Sequence, residues 1–273
     1  MAKYNKETQS VHQGTIEDKE HKGVFSPIYP ATAYDYLDVD VYAYPRYFNT
    51  PNQRAVAEKI CALENGEHGI IFGSGMAAIS TILFSLLQQG DHAVFQKDLY
   101  GGTHHAITKE LEKFGMSYSF AEDLGVESFE QQITSATKLI YIETPSNPLL
   151  KIVDIKAISE LAKAKGIITV IDNTFASPIN QNPIDLGIDV VLHSATKYLG
   201  GHSDIQAGAV VTSAELGERI TNSALNFGGS LNPLMCYLLE RSIKTVAVRV
   251  KQQNENAHRL AEFLQQHSKA GAV

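Results

Sequence analysis

Four stretches of small and polar residues follow apolar runs of strand length, and their side chains could act together on one ligand. The stretches are 73–76 (GSGM), 144–148 (TPSNP), 172–174 (DNT) and 194–197 (SATK), after the runs 68–72, 138–143, 167–172 and 189–193. Ligands of open α/β sheets bind beyond the carboxyl ends of the strands. We therefore expect all four stretches at one sheet edge, where they offer an anion cradle, an acid, hydroxyls and a lysine.

The glycine-rich stretch predicts a phosphate site. Gly73 and Gly75 let backbone N–H groups approach an anion at the start of a helix, where the helix dipole favours negative charge. The hydroxyls of Ser194 and Thr196 can donate to the same phosphate.

Lys197 and Asp172 predict chemistry on the ligand itself. A lysine held in a pocket near positive or apolar groups loses its proton more easily and can condense with an aldehyde. A carboxylate can pair with a pyridine nitrogen and keep it protonated, which makes the ring an electron sink. The two residues together indicate a phosphorylated pyridine aldehyde as cofactor.

The elements that must position these residues follow from hydrophobic periodicity. Short apolar runs alternate with helical patterns, which predicts an α/β protein with a mainly parallel sheet and helices on both faces. We expect helices over 50–64, 76–89, 103–114 and 154–165, and one long helix from Pro233 onward. The resulting division is an irregular N-terminal arm (1–50), a large cofactor-binding domain (51–232) and a helix (233–273) that leads towards a truncated C-terminal domain.

Five motifs carry a resemblance to a known family. They are GSGMAAI (73–79), LYGGTHH (99–105), ETPSNP (143–148), DNTFASP (172–178) and SATKYLGGHSD (194–204). Over Ser10 to Phe263 the chain resembles the Cys/Met-metabolism enzymes that use pyridoxal 5'-phosphate (PLP): cystathionine γ-synthases, cystathionine γ- and β-lyases, methionine γ-lyases and O-acetylhomoserine sulfhydrylases. The resemblance implies the fold-type-I architecture and PLP as cofactor.

The resemblance also implies residue roles. Lys197 matches the Schiff-base lysine, Asp172 the partner of the ring nitrogen, and Tyr100 a tyrosine that stacks on the ring and takes part in proton transfer. The other implied cofactor contacts are Ser74, Gly75 and Met76 at the phosphate, with Ser194 and Thr196 beside them, and Glu143, Asn147 and Thr174 around the ring.

Tyr44 and Arg46 match a Tyr-x-Arg pair that reaches the phosphate of a neighbouring subunit. If this match holds, the site needs at least a homodimer, and the family is usually homotetrameric. The turn after this pair differs from the family pattern, as do Ala43 before it and Gly102 after the stacking tyrosine. These differences leave the amino-acid substrate open.

The implied activity is a carbon–sulfur lyase or γ-replacement transferase acting on cystathionine, homoserine esters or methionine-like substrates. One alternative is a PLP-binding fragment without turnover, because no arginine here matches the family's C-terminal arginine for the substrate carboxylate. A second alternative is a nicotinamide oxidoreductase, since Gly73, Gly75 and Ala78 fit the dinucleotide fingerprint and Asp98 lies about twenty residues further on. That acid should end the second strand, however, and Asp98 comes after it.

Composition excludes other classes of function. A formal net charge of −7 gives no electrostatic footprint for nucleic acid or an anionic membrane. The polar N-terminus and the absence of a long apolar run predict a cytoplasmic protein with no membrane partner. The histidines show no metal-ligand spacing with cysteine or glutamate, so no metal site is expected.

Overall fold

The apolar runs form one seven-stranded sheet in the computed structural model, which describes residues 4–271. The strands are β1 (His68–Phe72), β2 (His92–Gln96), β3 (Ser117–Ala121), β4 (Thr137–Glu143), β5 (Ile168–Asp172), β6 (Val190–His193) and β7 (Gly208–Thr212). Their order is β1-β7-β6-β5-β4-β2-β3. Only β7 runs antiparallel to its neighbours β1 and β6. The carboxyl ends of β1, β2, β4, β5 and β6 therefore share one edge.

Helices cover both faces of this sheet. They are α1 (Lys6–His12), α2 (Pro51–Glu64), α3 (Gly75–Leu86), α4 (Gly101–Glu110), α5 (Val126–Gln131), α6 (Ile155–Lys165), α7 (Ser177–Asn180), α8 (Ala214–Phe227), α9 (Pro233–Ile243) and α10 (Val246–Gln265). The expected α/β architecture, mainly parallel with helices on both faces, is confirmed.

Alternation along each strand divides the core into two layers. In β1, Ile70 and Phe72 pack with α3 and α8 on one face, whereas Ile71 packs with α2 and α9 on the other. Most strand residues are buried on both faces, as is typical of a parallel sheet covered by helices. Helices packed on both faces therefore fix the position of the carboxyl edge of the strands.

Two expectations about the helices are wrong. The long helix predicted from Pro233 is two helices, because the chain breaks at Lys244 and Thr245, where the Thr245 hydroxyl donates to Ser242 O at 3.1 Å. The break lets α9 lie on α2 while α10 turns towards α1 and α7. The arm is not irregular throughout, since residues 6–12 form α1, capped by the Asn5 side chain.

None of the helices described in residues 4–271 is both long enough and apolar enough to span a bilayer.

Candidate active site

A pocket of about 960 Å³ opens at the shared carboxyl edge of the strands. It brings together eleven of the thirteen residues to which the family resemblance gives a role: Ser74, Gly75, Met76, Tyr100, Glu143, Asn147, Asp172, Thr174, Ser194, Thr196 and Lys197. The strand order explains this, because each segment follows a strand that ends at the same edge.

The phosphate cradle is the N-terminus of α3. Ser74 caps this helix, its hydroxyl accepting the Ala77 N–H at 3.0 Å, while the first N–H groups of the helix have no partner inside it. A Cβ on Gly75 would lie 2.9 Å from Ser194 Cβ, so only glycine lets the start of α3 approach the loop after β6. An anion-binding helix end and the Ser194 hydroxyl thus face the same space.

Thr174 joins two of the loops behind this cradle. Its hydroxyl accepts the Ser194 N–H at 2.7 Å, and its own N–H donates to Asp172 Oδ1 at 3.0 Å. The position of the Ser194 loop is therefore tied to that of the Asp172 carboxylate.

Asp172 ends β5 as a buried carboxylate. Burial raises the pKa of Asp172 above its ordinary value, and this is the largest influence; hydrogen bonds from Thr174 and the charge of His193 act in the opposite direction. A carboxylate that loses hydration in this way gains most from a cationic partner such as a protonated ring nitrogen.

Glu143 is the second buried acid of the edge. Its two carboxylate oxygens accept the backbone N–H groups of Tyr100 (2.8 Å) and Asn147 (2.9 Å). Burial, with a smaller contribution from Asp172, raises the pKa of Glu143 to about 7. Glu143 thereby fixes two segments that line the pocket. The sequence did not predict this positioning role.

Tyr100 stands at the start of α4 with 45% of its surface exposed. A Cβ on Gly102 would lie 2.5 Å from Tyr100 Cε1, so the missing side chain at Gly102 makes room for the ring. The ring is therefore free to cover a planar ligand in the pocket.

Lys197 lies on a tight loop after β6. Its backbone is fixed by bonds to Ser194 O (3.0 Å) and from the Gly201 N–H (2.7 Å), and within residues 4–271 its amine has no hydrogen-bond partner. Thr196, by contrast, already donates its hydroxyl to Ala207 O at 3.1 Å. Of the two hydroxyls assigned to the phosphate, that of Ser194 is the better placed.

Tyr44 and Arg46 are not part of this pocket. The Arg46 guanidinium donates to Leu225 O at 2.5 Å and lies over the ring of Tyr47, 5.1 Å from its centroid. Arg46 is exposed and Tyr44 is half-buried. Their role at the phosphate of a neighbouring subunit stays a prediction.

Several other residues line the pocket without having been predicted. They are Ile79, Phe175, Tyr198, Gly201, Ser203, Asp204, Ile205, Gln206 and Gln253. Most follow Asp172 or Lys197 within a few positions, so the motifs pointed to their neighbourhood. Gln253 comes from α10 and is far away in the sequence, so no local signal could have found it.

The residues present fit PLP. The cradle at Gly75 excludes even one Cβ, the phosphate would meet the dipole of α3, and Asp172 offers a buried carboxylate for a cationic ring nitrogen. Lys197 supplies an amine in the same pocket. Asp98, the acid needed for the dinucleotide alternative, is instead paired with Lys151 at 2.5 Å outside this pocket.

Comparison with known proteins gives the same result. A family model described as "Cys/Met metabolism PLP-dependent enzyme" matches residues 7–273. Cystathionine β-lyase MetC of Bacillus subtilis is 44% identical over 98% of this chain and 70% of its own length. Cystathionine γ-lyase of the same organism is 43% identical over 96% of the chain and 70% of its own length.

Solved structures agree in fold. A structure of metB from Corynebacterium glutamicum has a TM-score of 0.93 at 37% identity, and cystathionine γ-lyase from Lactobacillus plantarum has 0.92 at 42%. Each match covers 97% of this chain and 70% of the other.

Fold and pocket together define a fold-type-I PLP enzyme. The chain belongs to the Cys/Met metabolism PLP-dependent enzyme family, the lyases and transferases of sulfur amino-acid metabolism. The family match favours this interpretation over the nicotinamide alternative. The chain spans about 70% of the length of these relatives.

Proposed function

We propose that this chain binds PLP at Lys197 and cleaves or replaces a carbon–sulfur bond of a thioether amino acid. The supporting observation is that Lys197, Asp172 and the N-terminus of α3 open into one pocket. The relatives named cystathionine β-lyase and cystathionine γ-lyase make cystathionine the first substrate to test.

When bound, PLP supplies an electron sink for the charge left on the substrate Cα after its proton is removed. The Lys197 amine is the base that takes this proton and can return it to a neighbouring carbon. The Asp172 carboxylate holds the ring nitrogen in its cationic form, and its burial strengthens that contact.

Tyr100 covers the ring and is the candidate acid for the leaving sulfur. The Glu143 carboxylate holds the Tyr100 and Asn147 backbones, so it fixes the side of the pocket on which the leaving group departs. In this proposal Tyr44 and Arg46 contribute to the phosphate site of a second subunit, and the active unit is at least a homodimer.

Replacing Lys197 with Ala tests the proposal. The full chain incubated with PLP should show a visible absorbance band that borohydride reduces onto Lys197, as located by peptide mass mapping. With cystathionine it should form homocysteine, pyruvate and ammonia by β-cleavage, or cysteine, 2-oxobutyrate and ammonia by γ-cleavage. Lys197→Ala should abolish the band and lower the rate at least about 10³-fold, since base and attachment point are both lost.

Lys165→Ala is the matched control, because Lys165 is partly exposed and pairs with Glu130 at the end of α6. It should keep both the band and the rate. A band that persists in Lys197→Ala contradicts the cofactor assignment. A band on Lys197 without product from cystathionine or O-acetylhomoserine supports PLP binding and contradicts turnover.

A further inference from the structure

A fully buried carboxylate lies behind the pocket, on the opposite face of the sheet. Glu64, the last residue of α2, is 0% exposed, and its Oε1 lies 2.6 Å from His193 Nε2, which is itself buried. Oε1 also accepts Asn173 Nδ2 at 2.7 Å, and Oε2 accepts Asn182 Nδ2 at 3.2 Å. We call Glu64, His193, Asn173 and Asn182 the Glu64 cluster.

The cluster holds the neighbours of Asp172. Asn173 follows Asp172 in the chain, and its N–H donates to Leu192 O, one residue before His193. Asp172 and Leu192 are paired across β5 and β6, so Asp172 faces the pocket layer while Asn173 and His193 point to the other side. Glu64 thus holds the ends of β5 and β6 through hydrogen bonds immediately behind Asp172.

A second link extends the cluster to β4. Gln181 Nε2 donates to Asn173 Oδ1 at 2.8 Å and to Thr144 O at 3.0 Å. The segment after Glu143 and the segment after Asp172 are therefore joined through Asn173. One buried carboxylate orders the ends of three strands that line the pocket.

Stability alone does not explain a charge at this place. Burying a carboxylate costs several kcal/mol, and an ion pair in a protein interior often returns no more than a well-packed apolar pair would. Fully satisfied buried networks do, however, fix a single geometry. Each of the three side chains that contact the Glu64 carboxylate lies beside the pocket loops or on the turn that follows α7, which indicates a geometric task.

We infer that Glu64 is a positioning residue for Asp172: from the back face of the sheet it fixes Asn173 and His193 so that the Asp172 carboxylate meets the ring nitrogen of the cofactor. This inference rests on the proposed role of Asp172. The charge of His193 also favours the ionised form of Asp172, which adds an electrostatic contribution to the geometric one.

The test compares two ligands that differ in one atom. Affinities of the full chain are measured for PLP and for an analogue with C–H in place of the ring nitrogen, and the ratio of the two dissociation constants reports the Asp172 contact alone. Asp172→Asn sets the reference and should remove most of the preference for PLP, a loss of about 10-fold or more. Glu64→Ala should lower the preference by about 10-fold, with little change for the analogue.

Glu64→Gln keeps the side-chain volume and one acceptor, so it should lose only about 3-fold, and it decides the question if Glu64→Ala does not fold. Glu240→Ala is the matched control: Glu240 is also a fully buried glutamate on a helix, but it lies under the N-terminal arm and contacts Ser26. The ratio should stay unchanged in Glu240→Ala.

Two results would overturn the inference. In one, the Glu64 variants lower the affinities for PLP and for the analogue by the same factor, or leave both affinities unchanged, and Glu64 is then purely structural. In the other, Asp172→Asn itself leaves the ratio unchanged, and then the proposed role of Asp172 fails together with the inference. If Asp172→Asn lowers the preference for PLP but the Glu64 variants leave the ratio unchanged, the inference about Glu64 fails and the proposed role of Asp172 stands.

Discussion

Two buried glutamates sit in very different surroundings. Glu64, behind the pocket, accepts hydrogen bonds from three side chains of the folded core at 2.6–3.2 Å. Glu240, under the N-terminal arm, accepts one hydrogen bond from Ser26 at 3.0 Å, and its Oε2 has no hydrogen-bond partner among the described residues. Burial raises the pKa of Glu240.

The cation near Glu240 is equally loosely held. Lys59 is fully buried and donates to the carbonyls of Ser10 and Val11 at 3.3–3.4 Å, and it forms no ion pair within 4 Å in the described chain. Burial lowers the pKa of Lys59 to about 8, although Glu240 acts in the opposite direction. The difference teaches that buried charge is tightly coordinated where it orders the pocket and loosely where it anchors the arm.

The largest expected difference is in the free energy of unfolding. Glu64→Ala leaves His193 Nε2 without its acceptor in the core and removes one acceptor each from the Asn173 and Asn182 amides, which keep Gln181 O (3.1 Å) and Leu63 O (2.8 Å). It should therefore cost about 3–5 kcal/mol. Glu240→Ala should cost only about 1–2 kcal/mol, because Lys59 can release its proton at little cost near neutral pH. Urea unfolding followed by circular dichroism measures both, and equal costs would break the comparison.

Acid titration sharpens the comparison on the pocket side. The pKa of Glu143 is raised to about 7 in the folded chain, above its ordinary value of 4.5. Its protonated form therefore stabilises the fold fully below about pH 4.5, and this contribution of about 3 kcal/mol is lost as the pH rises through 7. Glu143→Gln should remove that slope from the unfolding free energy of the cofactor-free chain.

Glu127→Gln, at an exposed position of α5, is the control for this titration and should keep the slope. An unchanged slope in Glu143→Gln would mean that Glu143 is ionised in the folded chain throughout this range.

Alkaline titration probes the arm, with the opposite sign. The folded pKa of Lys59, about 8, lies below its ordinary 10.5, so stability from this residue is complete above 10.5 and is lost as the pH falls through 8. Relative to Lys59→Met, the parent chain should gain about 2–3 kcal/mol of unfolding free energy between pH 8 and 10.5. Lys19→Met, an exposed arm position, should behave like the parent. If the unfolding free energies of the parent and of Lys59→Met change with pH in parallel, the pKa of Lys59 is not lowered in the folded chain.

Much of the fold follows from local pattern. The strands ending at Phe72, Glu143, Asp172 and His193 end where the sequence placed them, because each apolar run stops at residues that cannot continue it. Their common edge then follows from parallel topology. The insertion of β7 between β1 and β6 could not be predicted, since strand order depends on contacts that are remote in the sequence.

The helices show where periodicity is insufficient. Residues 214–227 form α8 with only Gly217, Ile220 and Ala224 buried, which is too weak an apolar pattern for a confident prediction. The break at Lys244 and Thr245 lies within a continuous apolar stripe, so periodicity alone does not reveal it; α9 packs on α2, whereas α10 contacts α1 and α7.

The site was predictable where motifs are contiguous. Ser74 to Met76 and Ser194 to Lys197 lie in the pocket because each set follows one strand. The Glu64 cluster was not predictable, because Glu64 and His193 are 129 residues apart. The two hydrogen bonds that Glu143 accepts from the Tyr100 and Asn147 N–H groups were not predicted either, because they join separate loops.

The antiparallel strand β7 also governs when the phosphate cradle can be completed during synthesis. β1 is an edge strand whose partner in the sheet is β7, made about 140 residues later. At roughly 5–20 residues per second, β1 waits on the order of ten seconds for its partner. For most of that interval Gly75 has no Ser194 to approach, because Ser194 is made about 120 residues after Gly75. The phosphate site proposed for this chain can therefore form only when most of the sheet has been made.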